Sequence, residues 1–364
     1  MVVAIASERT SADRAVQTWL AIVALLVLLM IIVGGATRLT DSGLSITEWQ
    51  PILGAIPPLT EAHWLEALEK YRQIPEYQLV NKGMSLDEFK VIYWWEWGHR
   101  FLGRIIGLAF AIPLAVFAWR GMLRPGALPK YAGVLALGGL QGAIGWYMVS
   151  SGLVDRVDVS HYRLALHLSV AFLILGLLVW LAMDLRDENT THSGHLPTNA
   201  ATLALLILFV VFAQVALGAF VAGLKAGLAY NTWPLMNGQI IPDDLFVMSP
   251  GLINFVENAT TVQFNHRLVA YLVVALGLWH VMSILQSKCS GEIRTSAILL
   301  AAGLLAQMVL GIVTLLYAVP IGLGIAHQGF AAIVLAIAVR HLWLVRRAGE
   351  ASMFPGRDQS ATTK

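Results

Sequence analysis

Eight long apolar stretches limit most strongly how this chain can fold. They lie near 16–38, 103–119, 130–150, 164–183, 200–222, 268–286, 296–319 and 325–345. Each is about long enough to cross a hydrocarbon core of roughly 30 Å as an α-helix. Only 13% of the 364 residues are charged, about half the share that is usual in soluble domains. The sequence therefore predicts an all-α polytopic membrane protein with eight transmembrane helices in contact with membrane lipid.

The charges predict an orientation and exclude one class of partner. The net charge of +2 is too small to indicate a nucleic-acid-binding protein. If the N-terminus lies in the cytoplasm, the inside segments carry slightly more of the Lys and Arg residues than the outside segments, and cytoplasmic loops are generally the more basic. We therefore expect the N- and C-termini to be cytoplasmic.

Short motifs recur in the same order in two halves of the chain. Four pairs of segments correspond, at offsets of 184, 167, 166 and 160 residues: Gly43-to-Trp49 with Gly227-to-Trp233, EWGHR at 96–100 with QFNHR at 263–267, LQGAIG at 140–145 with AQMVLG at 306–311, and ALHLSVA at 165–171 with IAHQGFA at 325–331. Repeats of this kind indicate a duplication. We predict two pseudo-symmetric four-helix bundles, an N-terminal half at 1–190 and a C-terminal half at 191–364, joined by a polar linker.

Four histidines occupy matched positions in this repeat. His99 and His266 are expected at the outer starts of spans two and six, and His167 and His327 slightly inside spans four and eight. An imidazole within a membrane is costly and normally faces the bundle interior, where it can also serve only as a helix–helix hydrogen bond. The recurrence of two per half favours metal binding, because two imidazoles on facing helices can bind one iron from opposite sides.

Charged residues accompany these histidines. Glu96 lies three residues before His99 and so shares its helical face, whereas the other half has Gln263 at that place. The asymmetry predicts chemistry at one haem and a cofactor role for the other, although an interfacial Glu paired with an arginine would need no such role. Four arginines near the outer boundary can bind haem propionates or extend to the headgroups: Arg100, Arg104, Arg163 and Arg267.

Small residues and the remaining histidines receive plainer interpretations. Small residues one turn after each of the four histidines leave room for a flat macrocycle or for close helix packing: Gly103, Ala171, Ala270 and Ala331. The pattern Gln-x-x-x-Gly is interpreted as helix packing alone, at Gln141/Gly145, Gln214/Gly218 and Gln307/Gly311. His192 and His195, in the linker, are interpreted as solvated loop residues, and His280 and His341 have no counterpart in the repeat.

Together these segments resemble the haem A synthase family, in its proteobacterial and mitochondrial form. The similarity lies in EFKVIYWWEWGHRFLGR at 88–104, the two Gly-to-Trp segments, NFVENATTVQFNHRLVAY at 254–271 and GIAHQGFAA at 324–332, and it covers about 30–345. Some members of that family have a cysteine pair in the first outer loop. This chain does not, since Cys289 is its only cysteine, and it therefore cannot use such a pair.

The resemblance implies an oxidoreductase that converts a ring methyl of haem O into the formyl group of haem A for terminal oxidase biogenesis. It implies that His266 and His327 ligate a resident haem b, that His99 and His167 frame the substrate haem, and that Glu96 is the catalytic carboxylate. It further implies an inner (plasma) membrane location, with the haem sites toward the periplasm. Haem O synthase, an electron donor and further copies of the chain are the expected partners.

Two functions of other classes remain open from the residues. A di-haem cytochrome b that carries electrons would use the same four histidines as permanent ligands. A haem carrier or chaperone would bind haem without changing it. The Glu96/Gln263 asymmetry disfavours both, because neither needs a carboxylate at one site only.

Overall fold

A computed structural model describes residues 2–186, 195–287 and 289–353. Eleven α-helices occur in these ranges, here numbered α1 to α11 in chain order: Val2–Leu39, Glu61–Tyr71, Pro75–Leu79, Leu86–Trp119, Leu128–Ser150, His161–Asp184, Ala200–Gly223, Asn254–Glu257, Ala259–Gln286, Glu292–Leu316 and Ile321–Met353. Within the described residues the extended structure consists of one isolated bridge, between Met236 and Gln239. His192 lies outside the described ranges.

Eight of these helices are long and apolar enough to cross a membrane: α1, α4, α5, α6, α7, α9, α10 and α11. This confirms the predicted fold class. Helix α2 lies in the segment between the first two spans and buries Leu68 and Tyr71. We call the end of the molecule with the long connections, residues 40–85 and 224–258, the loop end.

The membrane helices begin earlier than hydropathy predicts. Helix α4 starts at Leu86, where Ser85 and Glu88 form a capping box, and not near residue 103. Helix α9 starts at Ala259 behind the N-cap Asn258, not near residue 268. The apolar window misses these turns because they carry polar residues. The expectation that His99 stands at the start of its helix is therefore wrong, since it lies 13 residues after Leu86.

The helices of the two halves pack in matching pairs. In the N-terminal half α1 and α5 both contact α4 and α6, and in the C-terminal half α7 and α10 both contact α9 and α11. Between the halves α1 contacts α11, α7 contacts α6, and α6 contacts α11. If each helix is replaced by its counterpart in the other half (α1 by α7, α4 by α9, α5 by α10 and α6 by α11, and the reverse), the same set of contacts results. The pattern is therefore compatible with the predicted pseudo-symmetry.

One apolar cluster spans both halves. Its fully buried members include Leu20 on α1, Leu178 on α6, Ile207 on α7 and Leu335 on α11. A second contact crosses at mid-depth, where the Gln328 amide on α11 donates to the Ile31 carbonyl on α1 at 2.6 Å. Burial of this apolar area holds the halves together as one body.

A smaller cluster closes the loop end of the N-terminal half. It joins the first long connection to α4 through Leu44, Leu68, Tyr71, Ile74, Phe89, Tyr93 and Val159. Within it the Tyr71 hydroxyl donates to the buried Glu76 carboxyl at 3.2 Å. We call residues 61–79 together with this cluster the outer cap.

Candidate functional site

The four matched histidines lie on four different membrane helices: His99 on α4, His167 on α6, His266 on α9 and His327 on α11. All four are half-buried. The three histidines His161, His280 and His341 are only 3%, 1% and 0% exposed. The matched four are therefore less enclosed by protein than the other three.

The C-terminal pair has the spacing that an iron ligand pair needs. The ring centroids of His266 and His327 are 6.5 Å apart, with their planes inclined at 76°. Metal–nitrogen bonds of about 2 Å to both rings would place the centroids roughly 6.3 Å apart. Among the described residues, Nδ1 of His266 is buried without a hydrogen-bond partner. These residues fit a haem held between two imidazoles.

Each of the four imidazoles lies against a glycine on a neighbouring helix. A Cβ atom at the glycine would lie closer to the ring than an ordinary van der Waals contact in each case. The distances would be 3.2 Å from Gly34 to His99 Nε2, 2.9 Å from Gly145 to His167 Cε1, 3.2 Å from Gly218 to His266 Cε1 and 2.8 Å from Gly311 to His327 Cε1. Any larger residue would press on the ring. The absence of a side chain thus forms the slot in which each histidine sits.

Three of these slots also contain a glutamine clamp. The amide nitrogens of Gln141, Gln214 and Gln307 each donate at 2.9 Å to the backbone carbonyl of the facing histidine. The same nitrogens lie 3.2 to 3.4 Å from a ring nitrogen. The interpretation of Gln-x-x-x-Gly as packing alone is therefore wrong. The signal was available in the sequence, because the motif recurs at the depth of the histidines on the preceding helix.

Glu96 is buried and connects α4 to the first long connection. One of its carboxylate oxygens accepts from the Arg100 guanidinium at 3.0 and 2.5 Å. The other accepts from the Ser45 hydroxyl at 2.8 Å and from the backbone N–H of Ile46 at 2.7 Å. Both oxygens are thus occupied by donors. In this arrangement Glu96 anchors the connection beside His99.

In the C-terminal half Gln263 takes the place of Glu96 and binds the corresponding connection, but it donates hydrogen bonds to that connection instead of accepting them. The Gln263 amide donates to the carbonyls of Ala226 and Tyr230 at 2.8 and 3.1 Å, and its oxygen accepts from Arg267 at 3.2 Å. Arg267 also donates to the Tyr230 carbonyl at 3.1 Å. Arg100 makes the corresponding bond to the carbonyl of Ile46 at 2.8 Å. In both halves the residues flanking the histidine fasten the adjoining connection.

The predicted arginines differ in the donors that they still have free. Arg100 uses its guanidinium on Glu96 and on the carbonyls of Ile46 and Glu48. Arg163 donates to the Tyr147 carbonyl and lies 3.7 Å over that residue's ring. By contrast Arg267 has buried Nε and Nη1 groups without a partner among the described residues, and Arg104 has such an Nη1. Those two fit a carboxylate ligand better.

Sequence analysis missed two features of the described residues. Arg38, at the end of α1, pairs with Asp41 and Asp158 and retains a buried Nε without a hydrogen bond. His280 and His341 share a hydrogen bond of 2.7 Å between their Nε2 atoms, and Nδ1 of His341 lies 2.7 Å from the Ser296 hydroxyl. Neither appears in the repeat, so the comparison of the two halves could not reveal them.

Comparison with known proteins identifies similar chains over nearly the whole length. The family model of cytochrome oxidase assembly proteins (COX15-CtaA) matches residues 17–339. A protein named "Heme A synthase" from Parvibaculum lavamentivorans is 53% identical over 338 residues, which is 93% of this chain and 96% of that protein. Proteins of the same name from Chelativorans sp. and Agrobacterium fabrum are each 50% identical, over 91% and 94% of this chain and 91% and 93% of their own lengths.

Proposed function

The chain belongs to the family of cytochrome oxidase assembly proteins, and we propose that it acts as a haem A synthase. It oxidises one ring methyl of the substrate haem O to the formyl group of haem A. The conversion removes four electrons in two successive two-electron steps, with a hydroxymethyl group between them, and an oxidant from outside the protein accepts these electrons. The observation that carries the proposal is the four histidine slots, two in each half, in a chain about half identical to proteins of that name over most of its length. The two slots of the N-terminal half are together called the N-terminal slot, and those of the C-terminal half the C-terminal slot.

The C-terminal slot is proposed to hold the resident haem b. His266 and His327 would hold its iron, supported by their 6.5 Å centroid spacing and by the two glutamine clamps that fix them. Arg267, with buried free N–H groups, would bind a propionate. When bound, such a haem supplies one-electron transfer.

The N-terminal slot is proposed to hold the substrate. His99 and His167 would hold the iron of haem O, and Arg104 would bind a propionate through its free Nη1. Arg100 and Arg163 are proposed to hold the surrounding protein, since their guanidinium groups are already occupied. Haem O synthase and an electron donor remain proposed partners.

Glu96 is proposed to act at this site in one of two ways. As a catalytic carboxylate it would stabilise positive charge at the reacting methyl or accept a proton. As a positioning residue it would hold the connection at Ser45 and Ile46 over His99. Its four hydrogen bonds support the positioning role, because a proton could be accepted only after one of these donors leaves.

The protein is a multi-pass membrane protein by its eight apolar helices. We propose that it lies in the inner membrane with both termini in the cytoplasm. The loop end, and with it the anchors beside His99 and His266, would then face the periplasm. Haem that enters from the outer leaflet would reach both slots from that side.

The test is the haem content of membranes that contain or lack the protein, with the extracted haems separated by chromatography. We expect haem A only where the protein is present, with haem b retained in the purified chain. His266→Ala and His327→Ala should each remove the low-spin haem b signal or make it high-spin, whereas His99→Ala should leave most of it. Two stoichiometric haems b and no haem A would instead indicate an electron carrier.

A further inference from the structure

One of the four slots lacks the glutamine clamp. The offset of 184 residues that relates the two long connections also relates Gly34 to Gly218, and both glycines lie against the matched histidines His99 and His266. The same offset places Met30 where the C-terminal half has Gln214. Gln214 donates to the carbonyl of His266. A thioether has no N–H to donate, so Met30 cannot make the corresponding bond.

The position of Met30 confirms that it lies at the slot. Its methyl carbon is 3.5 Å from the point where a Cβ on Gly103 would stand. Gly103 follows His99 by one helical turn. Met30 therefore packs against the turn of α4 that presents His99, without a polar bond to it.

Helix α4 is also less enclosed than its counterpart. In the most apolar window of α4 only 11% of residues are buried, against 33% in α9. Its neighbour α5 has 11%, against 28% in the corresponding α10. Along these windows α4, the helix that carries His99, is thus less enclosed by protein than α9.

We propose that Met30 makes His99 a releasable ligand, so that the N-terminal slot exchanges its haem while the C-terminal slot retains its own. This inference rests on the proposed function. A substrate site must admit haem O and release haem A in every cycle, whereas a cofactor site must keep its haem through many cycles. With a clamp on His167 and none on His99, one axial ligand stays fixed while the other moves away with α4.

The experiment measures how fast each haem leaves the full-length, detergent-solubilised protein. The protein is purified from cells that make haem O and mixed with a large excess of apo-myoglobin as haem acceptor. The remaining haems b, O and A are then quantified by chromatography over time. The variants are Met30→Gln, the reciprocal Gln214→Met, and Met30→Leu, which keeps an apolar side chain of similar size without sulfur.

Met30→Gln should slow the loss of haem O and haem A by about threefold to tenfold, the effect of one added hydrogen bond, and leave haem b unchanged. Gln214→Met should speed the loss of haem b by a similar factor. Met30→Leu should match the wild-type rates.

Three results would overturn the inference: unchanged haem O and haem A release in Met30→Gln, a lower content of these haems in that variant than in wild type, or an altered rate in Met30→Leu, which would make the thioether itself a ligand. A wild-type protein that carries neither haem O nor haem A would overturn the proposed function, and the inference with it. Unchanged haem b loss in Gln214→Met would show that the clamp does not hold a ligand.

Discussion

At the scale of single residues, the glycines that face the histidines decide where the imidazoles can stand. A methyl group at Gly311 would lie 2.8 Å from Cε1 of His327, closer than real carbon atoms approach. The ring or the helix must then move. Because iron binding by an imidazole depends on the position of the ring, one added methyl group at Gly311 should weaken iron binding by His327.

Gly311→Ala should therefore lower the haem b content of the purified protein or convert its low-spin spectrum to a high-spin form. The measurement is the visible spectrum, together with haem quantified per protein. Gly303→Ala on the same helix is the matched control, since its Cβ would make only ordinary contacts at 3.5 Å with Val334. A normal low-spin spectrum in Gly311→Ala would contradict the slot as described.

A second prediction concerns Glu96. Glu96→Gln removes the charge and presents an amide where Ser45 and Ile46 now donate to a carboxylate. If the carboxylate is catalytic, formation of haem A should fall by about 10²–10⁴-fold, haem O or its hydroxymethyl form should accumulate, and haem b should survive.

The control for this prediction is Ser45→Ala, which loosens the same anchor and leaves the charge in place. A similar and modest loss in both variants would assign Glu96 a positioning role. Wild-type haem A formation in Glu96→Gln would show that the carboxylate is needed neither for catalysis nor for positioning.

At the scale of elements, the outer cap contains a pH-sensitive group. Burial raises the pKa of the Glu76 carboxyl from 4.5 to about 8, an effect that the hydrogen bond from Tyr71 only partly offsets. Between these pH values the unfolded chain has lost this proton and the folded chain keeps it. Glu76 therefore contributes stability below about pH 4.5 that is lost progressively as the pH rises to about 8.

Glu76→Gln should remove this dependence. The thermal unfolding midpoint of the variant should exceed that of wild type by a margin that grows from pH 5 to pH 8 and then levels off. Glu69→Gln, a change at an exposed carboxylate of the same cap paired with Arg72, should show no such growing margin. A margin that stays constant with pH would contradict the raised pKa of Glu76.

The elements also show what the sequence could and could not predict. Eight helices followed from the lengths of the apolar stretches. The starts of α4 and α9 did not follow, because hydropathy averages treat Glu96 and Gln263 as loop residues. Both are buried and hydrogen-bonded at the loop end, so their polarity is compensated within the protein.

The site was predictable to a similar degree. The repeat singled out His99, His167, His266 and His327 in the sequence, and the structure places each ring against a glycine of a neighbouring helix. Their role as haem ligands stays a prediction. The glutamine clamps were visible in the sequence as a recurring Gln-x-x-x-Gly motif, but such a motif also fits helix packing until the hydrogen bond to the facing carbonyl is seen. Met30 could not be singled out from the sequence either, because a methionine is ordinary in an apolar helix. It becomes informative only once its counterpart, Gln214, is seen to bond to His266.

At the scale of the whole molecule, the orientation in the membrane awaits a direct test. A reporter fused after Lys364 should read as cytoplasmic, and one inserted near Gln78, in the outer cap, as periplasmic. Both follow from the excess of basic residues on the side of the termini. Because the even number of spans puts both termini on one side, the reverse pair of results would turn the whole molecule over and put the outer cap in the cytoplasm.

The bond from Gln328 to the Ile31 carbonyl has a consequence for how the two slots are observed. Gln328 is the residue after His327, and Ile31 is the residue after Met30. A shift of α1 that accompanies loading of the proposed substrate slot would pull on α11, which carries His327, the proposed ligand of the resident haem. The absorption band of that haem would then serve as a built-in indicator, registering from one half of the protein whether the other half is occupied.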